Sequence, residues 1–203
     1  MNGSILANRS AVDRNKTDYY RTPPEVTVAL LNFLEEQGRL CPSSDCVIWE
    51  PACGTGEMVE AMEGKGYTVK FSDLYPTGYR GDNAPVDFLK SDPSVFCDWI
   101  ITNPPFSQAE KFIRRALEIG KPCAFLLKSQ FWHARSRLPL FREHPPAYVL
   151  PLTWRPDFLW GAKSSSPTME CLWTVWLGKD VITEYHPLER PEMTEGSGSN
   201  DRK

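Results

Sequence analysis

Apolar residues recur along this chain at two spacings, one helical and one strand-like, and the two alternate. Between Pro24 and Glu36, Val26, Ala29, Leu30, Phe33 and Leu34 fall three and four apart. That spacing predicts an amphipathic helix with Thr22 as its N-cap and Pro23 at its first turn. Val47-Ile48-Trp49-Glu50 has the composition of a buried strand, and the turn Pro51-Ala52-Cys53-Gly54-Thr55-Gly56 leads from it into a helix from about Glu57 to Gly64. Tyr67 to Ser72 predicts a second strand, which Asp73-Leu74-Tyr75-Pro76 breaks. Around Pro85-Val86-Asp87-Phe88-Leu89 lies a short extended segment or a loop. Asp98 to Thr102 predicts the next strand, ending at Asn103. From Gln108 to Ile119 a helix turns Phe112, Ile113, Ala116 and Leu117 inward and its basic residues outward.

The alternation continues through a buried strand at Ala124 to Leu127 and a partly helical stretch from Gln130 to Arg142. Tyr148 to Leu150 then forms a short strand, and Cys171 to Leu177 a last one. Strands alternating with helices imply an α/β fold, a mostly parallel sheet covered on both faces. Residues 1–17 read as a flexible start, 18–185 as one domain, and 186–203, with Pro187, Pro191, Gly196 and Gly198, as a disordered tail.

Composition narrows the class. The 203 residues are 41% hydrophobic and 24% charged, globular values, and no apolar run reaches the roughly 18 residues a membrane span needs. The N-terminus lacks the basic start and long apolar block of a secretory signal, so a cytoplasmic protein is expected. Six cysteines without a CxxC pair and three histidines without paired spacing fit reduced, buried thiols and give little material for a zinc or iron site; no metal is expected. The net charge of −3 argues against indiscriminate coating of nucleic acid. Locally the balance reverses: between Glu110 and Glu143 eight basic residues, Lys128, Arg135 and Arg137 among them, face three acidic ones. A solvated helix face and a phosphate-tracking surface both account for that run.

The candidate chemistry sits at strand ends. Asn103-Pro104-Pro105-Phe106 follows an apolar run, and each proline fixes its own φ and pushes the preceding residue toward extended geometry. Asn103 is thereby held open with its amide free to enter a pocket, beside an aromatic ring; a plain turn ending a strand is the blander reading. Gly54 and Gly56 let backbone approach a ligand at a helix N-terminus, but Val59 stands where a dinucleotide cradle would have its third glycine. Glu50 at the same strand end repels phosphate and attracts an ammonium or a sulfonium-bearing amino acid. Asp73, roughly twenty residues past the turn, is placed to chelate ribose hydroxyls or merely to cap a turn. In Asp87-Phe88 a carboxylate could accept from an adenine amine while the ring stacks on its face.

Taken in order, Asp18-Tyr19-Tyr20-Arg21-Thr22-Pro23-Pro24-Glu25, Glu50-Pro51-Ala52-Cys53-Gly54-Thr55-Gly56, Asp73, Asp87-Phe88 and Asn103-Pro104-Pro105-Phe106 resemble the class I S-adenosylmethionine-dependent amino-methyltransferases, in particular the small phage and prophage DNA adenine-N6 methyltransferases. The likeness spans about residues 18 to 130 strongly and 131 to 178 loosely. It implies a three-layer α/β/α Rossmann-like fold with a seven-stranded, mostly parallel sheet and an antiparallel last strand. It implies S-adenosyl-L-methionine as cofactor, DNA rather than RNA as partner, and action in the cytoplasm, for a phage or prophage product that of the host. Tyr20, Thr22 and Pro23 would cover the methionine moiety, with Glu50, Pro51, Cys53, Gly54 and Gly56 beneath it and Asp73, Leu74, Asp87, Phe88 and Asn103 completing the cofactor site.

Catalysis would rest on Asn103, Pro104, Pro105 and Phe106. The Asn103 side-chain oxygen and the Pro104 carbonyl would each accept an N–H of the target amine, pulling its nitrogen out of conjugation. Phe106 would stack on a base turned out of the duplex, unless it serves the core. Lys128, Arg135 and Arg137, with Trp154 and Arg155 of an aromatic and basic cluster that continues through Phe158, Trp160 and Lys163, would touch bases and phosphates; tryptophans filling the core explain that cluster equally. RNA adenine and protein glutamine present the same planar amine and remain alternative acceptors, and a non-catalytic cofactor-binding subunit is a third reading. Little sequence is left for a separate target-recognition domain.

Overall fold

The computed structural model describes residues 20–80, 85–92, 96–158, 169–179 and 181–193. Its helices are α1 (Pro24–Glu36), α2 (Glu57–Gly64), α3 (Ala109–Ile119) and α4 (Leu138–Glu143). Its strands are β1 (Val47–Glu50), β2 (Thr68–Phe71), β3 (Trp99–Thr102), β4 (Cys123–Lys128), β5 (Tyr148–Pro151), β6 (Cys171–Trp176) and β7 (Glu184–Tyr185). They form one sheet in the order β2-β1-β3-β4-β6-β5-β7. β1 to β4 run parallel to one another, β6 is antiparallel to both β4 and β5, and β7 is parallel to β5.

Side-chain alternation splits the core into two layers, one on each face. Ile48, Trp99, Ile101, Ala124, Leu126, Trp173 and Val175 point to the layer that holds Val26, Leu30 and Leu34 of α1 and Met58 and Met62 of α2. Trp49, Ile100, Cys123, Phe125, Leu127 and Trp176 point to the layer that holds Phe112, Ile113 and Ala116 of α3 and Leu140 of α4. This is the period-two pattern of a sheet buried on both sides. Trp173 donates its indole N–H to the Val26 carbonyl at 3.0 Å, and Trp176 donates to the His144 carbonyl at 2.9 Å, so neither leaves a polar atom stranded. No helix among the described residues is long and apolar enough to cross a membrane.

Two expectations, the cap of α1 and the loose tail, need correction. The N-cap of α1 is Pro23, which has no side-chain cap; Thr22 turns its hydroxyl elsewhere. Of the two alternatives for residues 85–89 the structure takes the loop, because Asp87 accepts from the Leu89 N–H at 3.1 Å and closes a 3-10 turn over Phe88–Lys90. The sheet has the expected seven strands, mostly parallel with the antiparallel β6 near the end, and the two-residue β7 follows it at the sheet edge. The chain beyond it is also no loose tail at its start. Leu188 is buried, bridges Leu152, and donates its N–H to the Pro151 carbonyl at 2.8 Å. Residues 1–19, including Asp18 and Tyr19, and 194–203 lie outside the described part.

Candidate functional site

Glu50, Asp73 and Asn103 stand at or just beyond the C-terminal ends of β1, β2 and β3, three neighbouring parallel strands, and they line one cleft of about 810 Å³. Carboxyl ends of parallel strands are where open α/β sheets place their ligands. Tyr20, Thr22, Pro51, Cys53, Gly54, Leu74, Asp87, Phe88, Pro104 and Pro105 also line it.

Glu50 is fully buried. Its Oε1 accepts from the Ala52 N–H at 2.9 Å and from the Thr102 hydroxyl, while Oε2 has no partner among the described residues. Burial pushes this carboxyl up to about 8; the Thr102 and Ala52 hydrogen bonds pull the other way, and the nearby Asp73 adds to the rise. Asp73 organises the turn above it. Its Oδ2 accepts from the Gly54 N–H at 2.9 Å and its Oδ1 from the Tyr75 N–H at 3.0 Å. Gly56 caps α2 with φ at 92°, and a methyl group there would overlap the Tyr79 ring, so that glycine answers to packing behind the turn rather than to the cleft. Cys53 keeps its proton, because burial beside Glu50 and Asp73 pushes its thiol up to about 12.

The Asn103 amide is pinned from one side. Its N–H₂ donates to the Thr22 hydroxyl at 2.9 Å and toward the Tyr20 carbonyl at 3.4 Å. A carbonyl can only accept, which settles which end of the amide faces Tyr20. Oδ1 is consequently left buried and without a partner among the described residues. Next to it the Phe106 and Tyr20 rings lie with centroids 5.2 Å apart, and Phe158 meets Tyr20 edge-on at 6.1 Å. The Lys128 ammonium sits 4.2 Å from the Phe106 centroid and 4.9 Å from that of Tyr20, a double cation–π contact.

No protein-family model and no curated protein sequence matches this chain. Solved structures do. A Pyrococcus horikoshii protein proposed to be an RNA methyltransferase superposes with a TM-score of 0.64 at 16% identity, over 85% of this chain and 91% of that one. A protein of Listeria monocytogenes, proposed to be a class I S-adenosylmethionine-dependent methyltransferase, gives 0.53 at 14% identity, over 89% and 68%. The M protein of the type I restriction enzyme EcoKI gives 0.56 at 14% identity, over 80% of this chain and 44% of that one. The chain shares the class I methyltransferase fold.

On that methyltransferase fold the remaining candidates separate. Phe88 is 2% exposed, with the ring centroids of Trp49 at 5.2 Å and Phe112 at 4.9 Å, so it forms the cleft's wall as part of the core. Asp87 lines the cleft, with its Oδ1 accepting from the Leu89 N–H and its Oδ2 meeting Lys90 at 3.1 Å. Pro23 and Gly56 do not line the cleft. Arg137 is ion-paired with Glu110 and lies over the Phe131 ring, and Arg114 pairs with Glu110 and Glu143. Much of the basic run is therefore an ion-paired helical face, with Arg135 exposed beside it. Trp154 packs partly against the core, and Arg155 pairs with Glu170 at 2.8 Å on the surface. Trp160 and Lys163 lie outside the described residues. Sequence reading missed Thr102, whose only signal is its place just before Asn103. It also missed Glu57, buried in the lining and paired with Arg21 at 2.6 Å.

Proposed function

We propose that this chain transfers a methyl group from S-adenosyl-L-methionine to the exocyclic N6 amine of adenine in DNA. The observation that carries this reading is the Asn103 carboxamide, held through its N–H₂ by Thr22 and Tyr20 so that a buried oxygen is left over in the cleft. An acceptor stranded in this way costs about 1–3 kcal/mol, which an incoming planar NH₂ offsets. The residues also fit the cofactor. The unpartnered Glu50 Oε2 suits an amino-acid ammonium, and both Asp73 oxygens retain acceptor capacity for ribose hydroxyls beyond the single N–H each receives. Bound there, S-adenosyl-L-methionine supplies an electrophilic methyl on a sulfonium.

Asn103 Oδ1 and the Pro104 carbonyl accept the two amine hydrogens and draw the nitrogen toward tetrahedral geometry, freeing its lone pair. Glu50 and Asp73 would hold the cofactor as that methyl passes to the nitrogen and the sulfur–methyl bonding electrons stay behind on a neutral thioether. The surplus proton passes from nitrogen to water, since asparagine does not act as a base. Holding amine and methyl in line contributes on the order of 7–11 kcal/mol of the rate enhancement. Phe106 and Tyr20 offer the stacking faces for the base, and Lys128 now covers them. Entry of an adenine therefore requires this lysine to swing aside, which frees its ammonium for a phosphate of the same strand. Similarity to a restriction-enzyme M protein supports DNA as the polymer.

Incubation with methyl-labelled cofactor and DNA, RNA or peptide, followed by digestion, tests the reading. Label is expected in N6-methyladenine from DNA. Label in RNA or in glutamine, or cofactor binding without transfer to any of the three, contradicts it.

A further inference from the structure

At the opposite end of the strands from the cleft, Cys41, Cys46 and Asp98 converge, with their Sγ atoms and a carboxylate oxygen all within 4.8 Å of one another. Cys46 immediately precedes β1 and Asp98 immediately precedes β3, and the two strands are paired neighbours, with Ile48 opposite Trp99. The carboxylate is clasped to β1. Val47 N–H donates to Asp98 Oδ2 at 2.8 Å, and Asp98 N–H donates to the Val47 carbonyl at 2.7 Å, leaving Oδ1 for another partner. Cys41 arrives from the loop between α1 and β1, where a turn closed by Asp45 N–H on the Pro42 carbonyl brings the chain back to Cys46. Cys46 is fully buried, whereas Cys41 and Asp98 are half-buried, so the cluster has a closed back and an open front.

None of the three lines the cleft, and none has a part in methyl transfer. Two thiols and one carboxylate form a donor set matched to a borderline-soft divalent ion. Tetrahedral zinc holds such ligand atoms about 3.3–3.8 Å apart, so a contraction of at most roughly 1.5 Å closes the set, within reach of side-chain rotation and of the Cys41 loop. The sequence did not mark this site because four residues rather than two separate the cysteines, so they form no CxxC, and the third ligand precedes another strand.

We propose that Cys41, Cys46 and Asp98 bind one Zn²⁺, with water in the fourth position, and so tie the 41–46 loop to the floor of the sheet. Binding sends one proton from each thiol to solvent and breaks no other bond.

The test uses the reduced full chain, stripped with a chelator and titrated with Co²⁺ as a spectroscopic stand-in. The expected result is a thiolate-to-cobalt charge-transfer absorption that saturates at one ion per chain and is displaced by Zn²⁺. Cys41→Ser, on the open side and in the loop, is expected to weaken Co²⁺ binding at least tenfold and to lose charge-transfer intensity, and Asp98→Asn to weaken it while keeping the acceptor for Val47. Absence of charge-transfer absorption at excess Co²⁺, an unchanged affinity in Cys41→Ser, or a Cys41–Cys46 disulfide in anaerobically isolated protein would overturn the proposal. The readout is independent of methyl transfer, so either reading can fail alone.

Discussion

Glu50 has two environments that pull its proton in opposite directions. In the ligand-free protein, burial raises the carboxyl from about 4.5 to about 8. Between those values the folded chain keeps a proton that the unfolded chain has lost, so stability falls as pH rises through that window. Glu50→Gln removes the titration. It is expected to match the parent at about pH 4, below the window, and to exceed it by about 1 kcal/mol or more at about pH 9, measured by chemical denaturation. An ammonium beside Oε2 favours the ionised form, so cofactor affinity should climb with pH up to about 8 in the parent and stay flat in Glu50→Gln. A parent whose stability is the same at both pH values contradicts the buried, proton-holding Glu50.

Between elements, the decisive contact joins the segment before α1 to the end of β3, where Thr22 receives the Asn103 N–H₂ across 81 residues of sequence. Thr22→Val leaves only the longer Tyr20 contact, and losing a hydrogen bond worth about 1 kcal/mol should lower kcat roughly five- to tenfold with cofactor affinity little changed. A parallel loss of cofactor affinity would show that Thr22 binds the ligand rather than positions the amide. Residue types and order made the strand-end positions legible, because a proline pair, an acid after a buried strand and a glycine turn are local signals. The pinning of Asn103 is not local, and in sequence Thr22 carries only the signal of a helix cap. The core packing of Phe88 is not local either: only the fold brings Trp49 and Phe112 against it. The basic run lost much of its charge once Glu110 and Glu143 met Arg114 and Arg137 in space.

Across the whole molecule, alternation of helices and strands was enough to fix the layered architecture, since both faces of the sheet read as apolar. Its far edge was not legible, because the two residues of β7 are too few to show a period and their neighbours are prolines and charges. That edge nevertheless closes the fold over β5 through Leu188. Leu188→Ala should destabilise the chain by about 2 kcal/mol or more, read from the denaturation midpoint. A change within about 0.5 kcal/mol would show that the segment merely rests on the surface.

The methyl-transfer account stands on the oxygen of Asn103, and single-turnover transfer by Asn103→Ala, measured alongside its cofactor Kd, tests it most directly. The predicted result is a rate at least about 10²-fold lower, the cost of removing one transition-state partner, at a Kd within a few-fold of the parent. Transfer at the parental rate by this variant would contradict it.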